Sequence, residues 1–275
     1  MLSLSNSTSS ASYISFSSTR SLVLDGGNDY IDTNDTFKTT FDGAYSISLW
    51  IKPDDGQPSP LEYLFGSQNS SGEDRIIGML MTDGKIRFDF KSNNDATYEE
   101  TDAAVFSDGA GAWTHLVFTT TLTGSGDTEL KIYVNGAKVD STANASVTEA
   151  NHANFDTDIT FRIGDLNNNG SVAGPLDGGM DDFAIWSSTL SDAAILALYN
   201  DGNPTELSSA KGNYAAQASL VAWYRMGDGF LDDIGDNLNN VGQGIITNQV
   251  GLSIGDNLAT GTNSLVGVEI ANVSV

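Results

Sequence analysis

The chain has 275 residues, and its 36 acidic side chains outnumber its 12 lysines and arginines, which gives a formal net charge of −24. Binding to nucleic acid or to an anionic membrane needs clustered cations, so neither kind of partner is expected here. The sequence also lacks the long apolar run that a membrane-spanning helix requires. The acidity fits three interpretations: a solvated surface, divalent-cation binding, or an acidic face for a basic partner.

The sequence contains no cysteine. A domain of this size can build a sufficient core without disulfides, so the composition is compatible with an extracellular location. Residues 1–12 have neither a basic start nor a long apolar stretch, so we expect no Sec signal peptide. The chain is therefore expected either inside the cell or outside it by a route without a Sec signal, as for proteins of virus particles released by lysis.

The first part of the chain predicts an arm followed by strands. Residues 1–20 are rich in serine and threonine and indicate a flexible or partner-docked arm. Residues 45–52 alternate strictly, with Ile47, Leu49 and Ile51 on one face, which predicts a strand. Hairpins are expected at residues 83–84 and 135–136, because Asp-Gly and Asn-Gly tolerate the positive φ of tight turns.

The second part adds one helix and further strands. Ser191 is a suitable N-cap for a short helix that Gly202 and Pro204 would end. Residues 203–215 indicate a linker, residues 220–226 a further strand, and residues 265–275 a final strand. About ten short strands with turn signals between them are typical of an antiparallel sandwich.

Six segments follow one another in a characteristic order. They are LDGGNDYID (24–32), YSISLWIKP (45–53), WTHLVFT (113–119), LKIYVNGAKV (130–139), FRIGD (161–165) and GGMDDFAIWSSTLSDAAILALYNDG (178–202). In this order they resemble the concanavalin A-like lectin/glucanase superfamily in its laminin-G-like form. The resemblance implies an all-β fold, a two-sheet antiparallel jelly-roll sandwich with one short helix and extended terminal arms. The domain organisation is then an arm at 1–20, a sandwich at 21–202, and a linker with C-terminal strands at 203–275. Those strands pair either with the same sandwich or with a neighbouring subunit.

Two sets of side chains are candidates for a structural Ca²⁺. Asp165, Asn167 and Asn169, followed by a glycine, have the spacing of the first half of an EF-hand loop, although the glutamate at position 12 is missing. A plain asparagine-rich turn explains the same residues. The second set follows from the resemblance, which implies a cation between the first strand and the Asp-Asp strand. That site would combine one of Asp25 and Asp29 with one of Asp181 and Asp182, whose alternative role is to cap turns.

A catalytic site is not expected. Residues 99–102 (Glu-Glu-Thr-Asp) come nearest to the carboxylate strand of the superfamily's glucanases, but no glutamate follows at the required spacing. His115 and His152 lack a recognisable catalytic motif, and a structural or surface role is predicted for His115. The aromatic candidates for sugar binding are Tyr63, Tyr98, Trp113 and Tyr133, whereas Trp50, Trp186 and Trp223 are expected in the core.

The sequence therefore predicts a non-enzymatic structural or binding protein. The leading hypothesis is a phage virion component, a capsid decoration or a tail protein that displays a lectin-like domain, because proteins with this arrangement look like structural proteins of marine bacteriophages. Its partners would be other virion proteins and copies of itself. The alternative is a carbohydrate-binding adhesion module for host-surface glycans, and a glycoside hydrolase is the third hypothesis.

Overall fold

A computed structural model describes residues 16, 18–93, 95–123, 128–143 and 154–228, together with the backbone of three later strands. The predictions for residues 1–15, for His152 and for most of residues 229–261 lie outside this part of the chain. The described helices are all too short or too polar to cross a membrane. The described residues form nineteen strands in two sheets with very little helix, which confirms the predicted all-β sandwich.

The first sheet has eight strands in the order β10-β9-β8-β3-β15-β1-β19, and β16 also pairs with β15. All of its pairings are antiparallel. The strands predicted at 45–52 and 220–226 lie in this sheet. The strands are β1 (Arg20–Asp25), β3 (Ser46–Pro53), β8 (Thr114–Leu122), β9 (Thr128–Val134), β10 (Ala137–Lys138), β15 (Asp177–Trp186), β16 (Leu220–Tyr224) and β19 (Glu269–Asn272).

The second sheet has eleven strands in the order β11-β7-β6-β5-β4-β12-β2-β18-β17, and the β13–β14 hairpin attaches to β4. One pairing departs from the antiparallel pattern, because β13 runs parallel to β4. The strands are β2 (Tyr30–Asp32), β4 (Glu62–Gln68), β5 (Arg75–Leu80), β6 (Ile86–Ser92), β7 (Asp95–Thr101), β11 (Ser141–Ala143), β12 (Arg162–Ile163), β13 (Leu166–Asn168), β14 (Ser171–Ala173), β17 (Ile245–Thr247) and β18 (Thr262–Val266).

The core lies between the two sheets. The alternation of β3 places Ile47, Leu49 and Ile51 in it, as the sequence predicts. Phe118 of the neighbouring strand β8 and Phe88 of the second sheet belong to the same core. Burial of this much apolar surface is the main favourable term in folding. The opposite side of β3 is also buried, however, which shows that the first sheet is covered on both faces.

Both hairpin predictions are confirmed in location. Asn135 and Gly136 have φ of 49° and 80°, and the flanking residues pair directly, as a two-residue turn requires. The other connection is longer than predicted, because β5 and β6 stop pairing at Leu80 and Ile86. Gly84 is needed there, since a Cβ atom would lie 2.0 Å from the carbonyl oxygen of Phe106.

The predicted helix spans Asp192–Tyr199 and is labelled α2, after a four-residue helix α1 (Lys38–Phe41) that the sequence pattern does not reveal. Ser191 Oγ accepts a hydrogen bond from the Ala194 amide at 3.2 Å, which confirms the N-cap. The helix ends at Asn200 in the left-handed region. It lies over the outer face of the first sheet.

The segment interpreted as a linker is packed. Leu207 and Tyr214 are buried, and they join Trp186 and Trp223 in a second apolar cluster beneath α2. Trp186 Nε1 donates to the Tyr214 hydroxyl at 3.1 Å, and that hydroxyl donates to the Leu207 carbonyl at 2.8 Å. The sequence indicates a linker because most residues between Leu207 and Tyr214 are polar, and the composition of the segment does not reveal that these two side chains are buried.

The C-terminal strands pair within the same chain. β16 pairs with β15 and buries Trp223 and Tyr224. β18 pairs with β2, and β19 pairs with β1. The sandwich therefore receives strands from well beyond residue 202.

Candidate functional site

The loop with the EF-hand spacing is organised around an arginine. Arg162 Nη1 lies 3.3 Å from Asp165 Oδ2, and its guanidinium also reaches the carbonyls of Gly170 and Ser171 at 3.4 Å. The same group lies 4.0 Å from the centre of the Tyr30 ring. The positive charge inside this loop is thus a side chain of the protein.

The other residues of this loop do not converge on a common point. Asn167 Oδ1 accepts from the Gly170 amide at 2.8 Å, and its Nδ2 donates to the Thr160 carbonyl at 2.8 Å. Asn169 occupies the left-handed region of the turn, with φ of 50°. Asp165 is fully buried, and burial raises its pKa to about 7 despite the Arg162 charge. These contacts are those of an asparagine-rich turn held by Arg162.

The second candidate set is divided by strand register. Asp25 of β1 stands opposite Asp177, four residues before Asp181 in β15. At roughly 3.3 Å per residue, the two positions lie about 13 Å apart along the strand. Asp29 Oδ2 instead accepts from the Asp25 amide at 3.0 Å, which closes the turn between β1 and β2. Asp25 and Asp29 are therefore not brought to Asp181 and Asp182.

Asp181 and Asp182 form a buried pair at an irregularity in β15, where Asp182 has φ of 45°. Asp181 Oδ2 accepts from Ser18 Oγ at 2.7 Å, and Asp182 Oδ1 accepts from Trp223 Nε1 at 2.8 Å. Burial, and secondly the charge of its neighbour, raises the pKa of Asp181 well above its usual value. Asp182 Oδ2 is buried without a hydrogen-bond partner. Within the described ranges, no group of three or more His, Asp or Glu side chains is placed to hold a metal ion.

The start of the described chain covers this pair. Phe16 stacks on Trp223 with ring centres 6.2 Å apart, and the Arg225 guanidinium lies 4.5 Å from the Phe16 ring centre. Asp228 accepts from the Thr19 hydroxyl at 2.7 Å and from the Arg20 amide at 2.8 Å. The end of the predicted arm is thus fastened to the residues that follow β16.

The carboxylates of Glu99 and Glu100 do not face one another. Glu99 is buried and accepts a short hydrogen bond from Ser141, whereas the next residue, Glu100, pairs with Arg87 on the other face of β7. Retaining glycosidases hold two carboxyl groups about 5–5.5 Å apart on one side of the substrate bond. Adjacent residues of a strand point to opposite faces and cannot adopt that arrangement.

His115 has a structural environment. It is buried between Trp50 and Ser48, with Nε2 at 2.8 Å from Ser48 Oγ. Burial lowers its pKa to about 3, so the ring is neutral at physiological pH. Trp50 in turn stacks on Tyr199 of α2 at 5.9 Å. These rings join the helix to the outer face of the first sheet.

The aromatic candidates differ in exposure. Tyr133 is buried, and its hydroxyl donates to Asp192 at 2.8 Å. Tyr63 packs beneath Gly174 of the segment that follows β14, and Trp113 packs against Gly179. Tyr98 is half-buried on β7. The predicted burial of Trp50, Trp186 and Trp223 is confirmed, with at most 4% of each residue exposed.

Tyr98 belongs to a polar surface on the outer side of the second sheet. Alternation along β6 sends Ile86, Phe88 and Phe90 into the core, and the residues between them to this outer side. The surface, called the β5–β7 face below, consists of Arg75, Arg87, Asp89, Tyr98 and Glu100. This face is not among the sites predicted from the sequence, although the alternation in IRFDFKS (86–92) is a usable signal.

Ion pairs link the residues of the β5–β7 face. Arg75 Nε and Nη2 donate to the two carboxylate oxygens of Asp89, each at 3.0 Å. Arg87 Nε donates to Glu100 Oε2 at 2.7 Å, and its guanidinium lies 4.4 Å from the Tyr98 ring centre. The arginine side chains keep 27% of their surface exposed, and that of Glu100 keeps 20%. Solvent, and hence a ligand, reaches these groups.

The outer face of the first sheet, in contrast, is covered by other parts of the chain. Val117, Ala184 and Trp186 point outward from its strands and are buried under α2 and residues 207–216. Part of the second sheet is covered as well, because Leu166 of the β13–β14 hairpin packs on Ile77 and Met79. The strands β5–β7 beside this hairpin carry the polar, partly exposed surface.

Fold and surfaces together define a lectin-like jelly-roll sandwich with one covered and one partly open sheet face. The model of the concanavalin A-like lectin/glucanases superfamily matches residues 25–196, which is more than half of the chain. The chain belongs to this superfamily. A search of the curated proteins found no match.

Solved structures with the same fold are distant in sequence. A Bacteroides ovatus protein for which carbohydrate binding has been suggested is 16% identical with a TM-score of 0.57, over 94% of this chain and 61% of its own. The CBM40 module of the Ruminococcus gnavus IT-sialidase is 13% identical with a TM-score of 0.50, over 66% of this chain and 99% of its own. The leech intramolecular trans-sialidase is 12% identical with a TM-score of 0.52, over 68% of this chain and 28% of its own. At these identities the similarity concerns the fold.

Proposed function

We propose that this protein is a non-catalytic carbohydrate-binding module and that its glycan site is the β5–β7 face. The observation that carries the proposal is the contrast between the sheets, because the first sheet is covered on its outer side while β5–β7 present partly exposed polar groups and Tyr98. The similarity to a suggested carbohydrate-binding protein and to a CBM40 module supports the same class of function.

The chemistry of this face suits sugars. A sugar ring offers hydroxyls, which both donate and accept hydrogen bonds, and C–H groups that pack on aromatic rings. Carboxylate oxygens accept, guanidinium groups donate, and a tyrosine supplies both a ring and a hydroxyl. Tyr98 stands opposite Asp89 in the neighbouring strand, so its ring and hydroxyl lie next to the partly exposed guanidinium of Arg75 that Asp89 holds.

Glycan-array screening followed by titration calorimetry tests this proposal. Tyr98→Ala should weaken binding of the best array ligand by about tenfold or more, the usual effect of removing an aromatic anchor. Leu196→Ala is the matched control, because Leu196 is 56% exposed on α2, on the far side of the molecule. Equal loss in both variants, or none in Tyr98→Ala with an intact fold, would contradict the assignment of the site.

Glycoside hydrolysis is not part of this proposal, and the reason is the geometry of Glu99 and Glu100. Glu99 and Glu100 lie on opposite faces, and each is engaged by a protein side chain. Incubation of the ligand with the protein, followed by product analysis, should reveal no cleavage. Turnover that a single glutamate substitution abolishes would establish the hydrolase instead.

We further propose that the module is a virion component, displayed on a phage particle as a capsid decoration or a tail protein. Support comes from the resemblance to marine phage structural proteins and from the contacts of Phe16 with Trp223 and of Thr19 and Arg20 with Asp228. Such an anchored base would let residues 1–15 extend to a neighbouring copy or to another virion protein.

Light scattering coupled to size-exclusion chromatography tests this role. The full chain is compared with a chain that lacks residues 1–15 but retains Phe16 and everything after it. Trimming at residue 202 is unsuitable, because it removes β16 and the buried Trp223 and Tyr224. We expect multimers of the full chain and monomers of the shortened one. If both are monomers, the arm is not an assembly device.

A structural Ca²⁺ remains part of the proposal, and Asp181 with Asp182 is the better candidate. Asp165 Oδ1 and Asp182 Oδ2 are both buried without a hydrogen-bond partner, but Asp182 has a second buried carboxylate, Asp181, beside it, whereas Asp165 contacts Arg162. A cation that binds only the folded state raises its melting temperature. Calcium should therefore stabilise the native protein and the Asp165→Asn variant, but not Asp182→Asn. An unchanged melting temperature in calcium and in EDTA would remove this cofactor.

A further inference from the structure

We propose that the β5–β7 face selects neutral glycans and discriminates against acidic ones such as sialylated or uronic sugars. This inference rests on the proposed function and names the class of ligand for that site. The reason is that the basic side chains of this face already contact oxygen atoms of the protein.

Each basic side chain of the face has an oxygen partner. Arg75 is held by both carboxylate oxygens of Asp89, and Arg87 is held by Glu100. Lys85, at the turn before β6, lies 3.5 Å from Glu100, and Lys91 Nζ donates to the Gly72 carbonyl at 2.6 Å. A ligand carboxylate that approaches either arginine therefore meets a protein carboxylate that is already bound to it, and the two negative charges repel each other.

Long-range electrostatics act in the same direction. The whole chain carries a formal charge of −24, so an anionic ligand meets a repulsive field before it reaches the face. Like charges brought together at an interface weaken binding strongly. Arginine often binds a carboxylate through a bidentate contact. Here Arg75 already makes such a contact with Asp89, and Arg87 directs two N–H groups to one oxygen of Glu100.

Neutral hydroxyls face no such competition. A guanidinium has five N–H donors, of which the Asp89 contact uses two on Arg75, and a carboxylate can accept about four hydrogen bonds. The paired groups can therefore each add a hydroxyl without breaking the ion pair. The alternation of donors and acceptors along neighbouring strands matches an array of sugar hydroxyls.

Titration calorimetry with matched neutral and acidic oligosaccharides tests the selectivity. The probes are neutral array ligands and the same sugars extended by one sialic acid or glucuronic acid, measured at two salt concentrations. We expect the acidic form to bind at least about tenfold more weakly at low salt, and this difference to shrink as salt screens the charge. Equal or tighter binding of the acidic form would overturn the neutral class while leaving glycan binding in place. Absence of binding to every glycan would overturn the proposed function itself.

A charge-release variant makes the test sharper. Asp89→Asn keeps the shape of the side chain but leaves Arg75 without its carboxylate, so binding of the acidic probe should rise several-fold relative to the neutral probe. Asp108→Asn is the control, since Asp108 is exposed in a loop and its substitution changes the net charge equally. If both variants raise the affinity for the acidic probe to the same extent, the net charge of the protein governs the selectivity, and the Arg75–Asp89 ion pair does not.

Discussion

Replacement of Arg162 by methionine should destabilise the protein strongly, because this arginine is the cation of a buried loop. Only 7% of its side chain is exposed, and the carboxylate of Asp165 beside it is fully buried. Breaking a buried ion pair by removing one partner costs about 3–5 kcal/mol, since the remaining charge stays desolvated. Asp165 can limit this cost by binding a proton, because burial holds its pKa at about 7. We therefore expect a loss near 3 kcal/mol at pH 8 and a smaller loss at pH 5.

A double-mutant cycle with Asp165→Asn separates the pair from the rest of the loop. In the double variant the buried Asp165 carboxylate is gone, and only Asp32, 3.5 Å from Arg162 Nε and partly exposed, loses its cation. The two substitutions together should therefore cost about 1.5–3 kcal/mol less than the sum of the single losses. Urea unfolding followed by tryptophan fluorescence supplies the free energies, provided that the slope with denaturant stays constant. Lys38→Met is the control, since the Lys38–Asp156 pair is well exposed and its loss should leave the midpoint unchanged.

The reasoning fails if the cycle is additive within about 0.5 kcal/mol, the usual scatter for independent sites. It also fails if the Arg162→Met loss is equal at both pH values. In that case Arg162 would act through its packing on Tyr30 and not through its charge.

Three further outcomes are expected from unfolding titrations. Glu62→Gln should stabilise the protein by about 1–2 kcal/mol above pH 7, after allowance for partial solvent screening, and should have little effect near pH 4. The cause is burial, which raises the pKa of Glu62 to about 7. The native state therefore loses stability as the pH rises from 4.5, the pKa of Glu62 in the unfolded chain, toward 7. A stabilisation by Glu62→Gln that is the same at every pH would contradict this sign. Burial depresses the pKa of His115 to about 3, so protonation favours the unfolded chain, and the native protein should lose about 2 kcal/mol of stability between pH 6.5 and pH 5. His115→Gln should abolish this loss. The same pH profile in both proteins would contradict the prediction. Tyr214→Phe should cost about 2–3 kcal/mol by leaving the Trp186 Nε1 donor and the Leu207 carbonyl without their partner, and a silent substitution would mean that residues 203–215 are a linker after all.

The sandwich could be predicted from the sequence because its signals are local. The alternation around Ile47, the Asn135-Gly136 turn and the Ser191 cap each follow from backbone and side-chain chemistry within a few residues. Strands of two or three residues, such as β12 and β13, carry too few positions for a period to be recognised. They exist because neighbouring strands supply their hydrogen bonds.

The candidate sites were harder to predict, because they depend on register and on distant partners. The spacing of Asp165, Asn167 and Asn169 is a genuine turn signal, but only the fold shows that Arg162 enters that turn. The expected meeting of Asp25 with Asp181 fails by four residues of strand register, which no local pattern specifies. The β5–β7 face was overlooked for the same reason, since its ion pairs join residues that lie 13 and 14 positions apart.

The two outer faces of the sandwich have different roles: the face of the first sheet contributes to stability, and the β5–β7 face is the proposed binding site. On the first sheet, α2 and residues 207–216 bury Trp186 and Trp223, and burial of such large apolar side chains contributes several kcal/mol to folding. On β5–β7, the arginine–carboxylate pairs are partly exposed, and exposed pairs contribute at most about 1 kcal/mol each. Substitutions in the β5–β7 face should therefore change ligand affinity without unfolding the protein. Loss of binding in a variant that melts like the native protein can then be attributed to the contacts themselves, because the core that holds the strands in place lies on their opposite side.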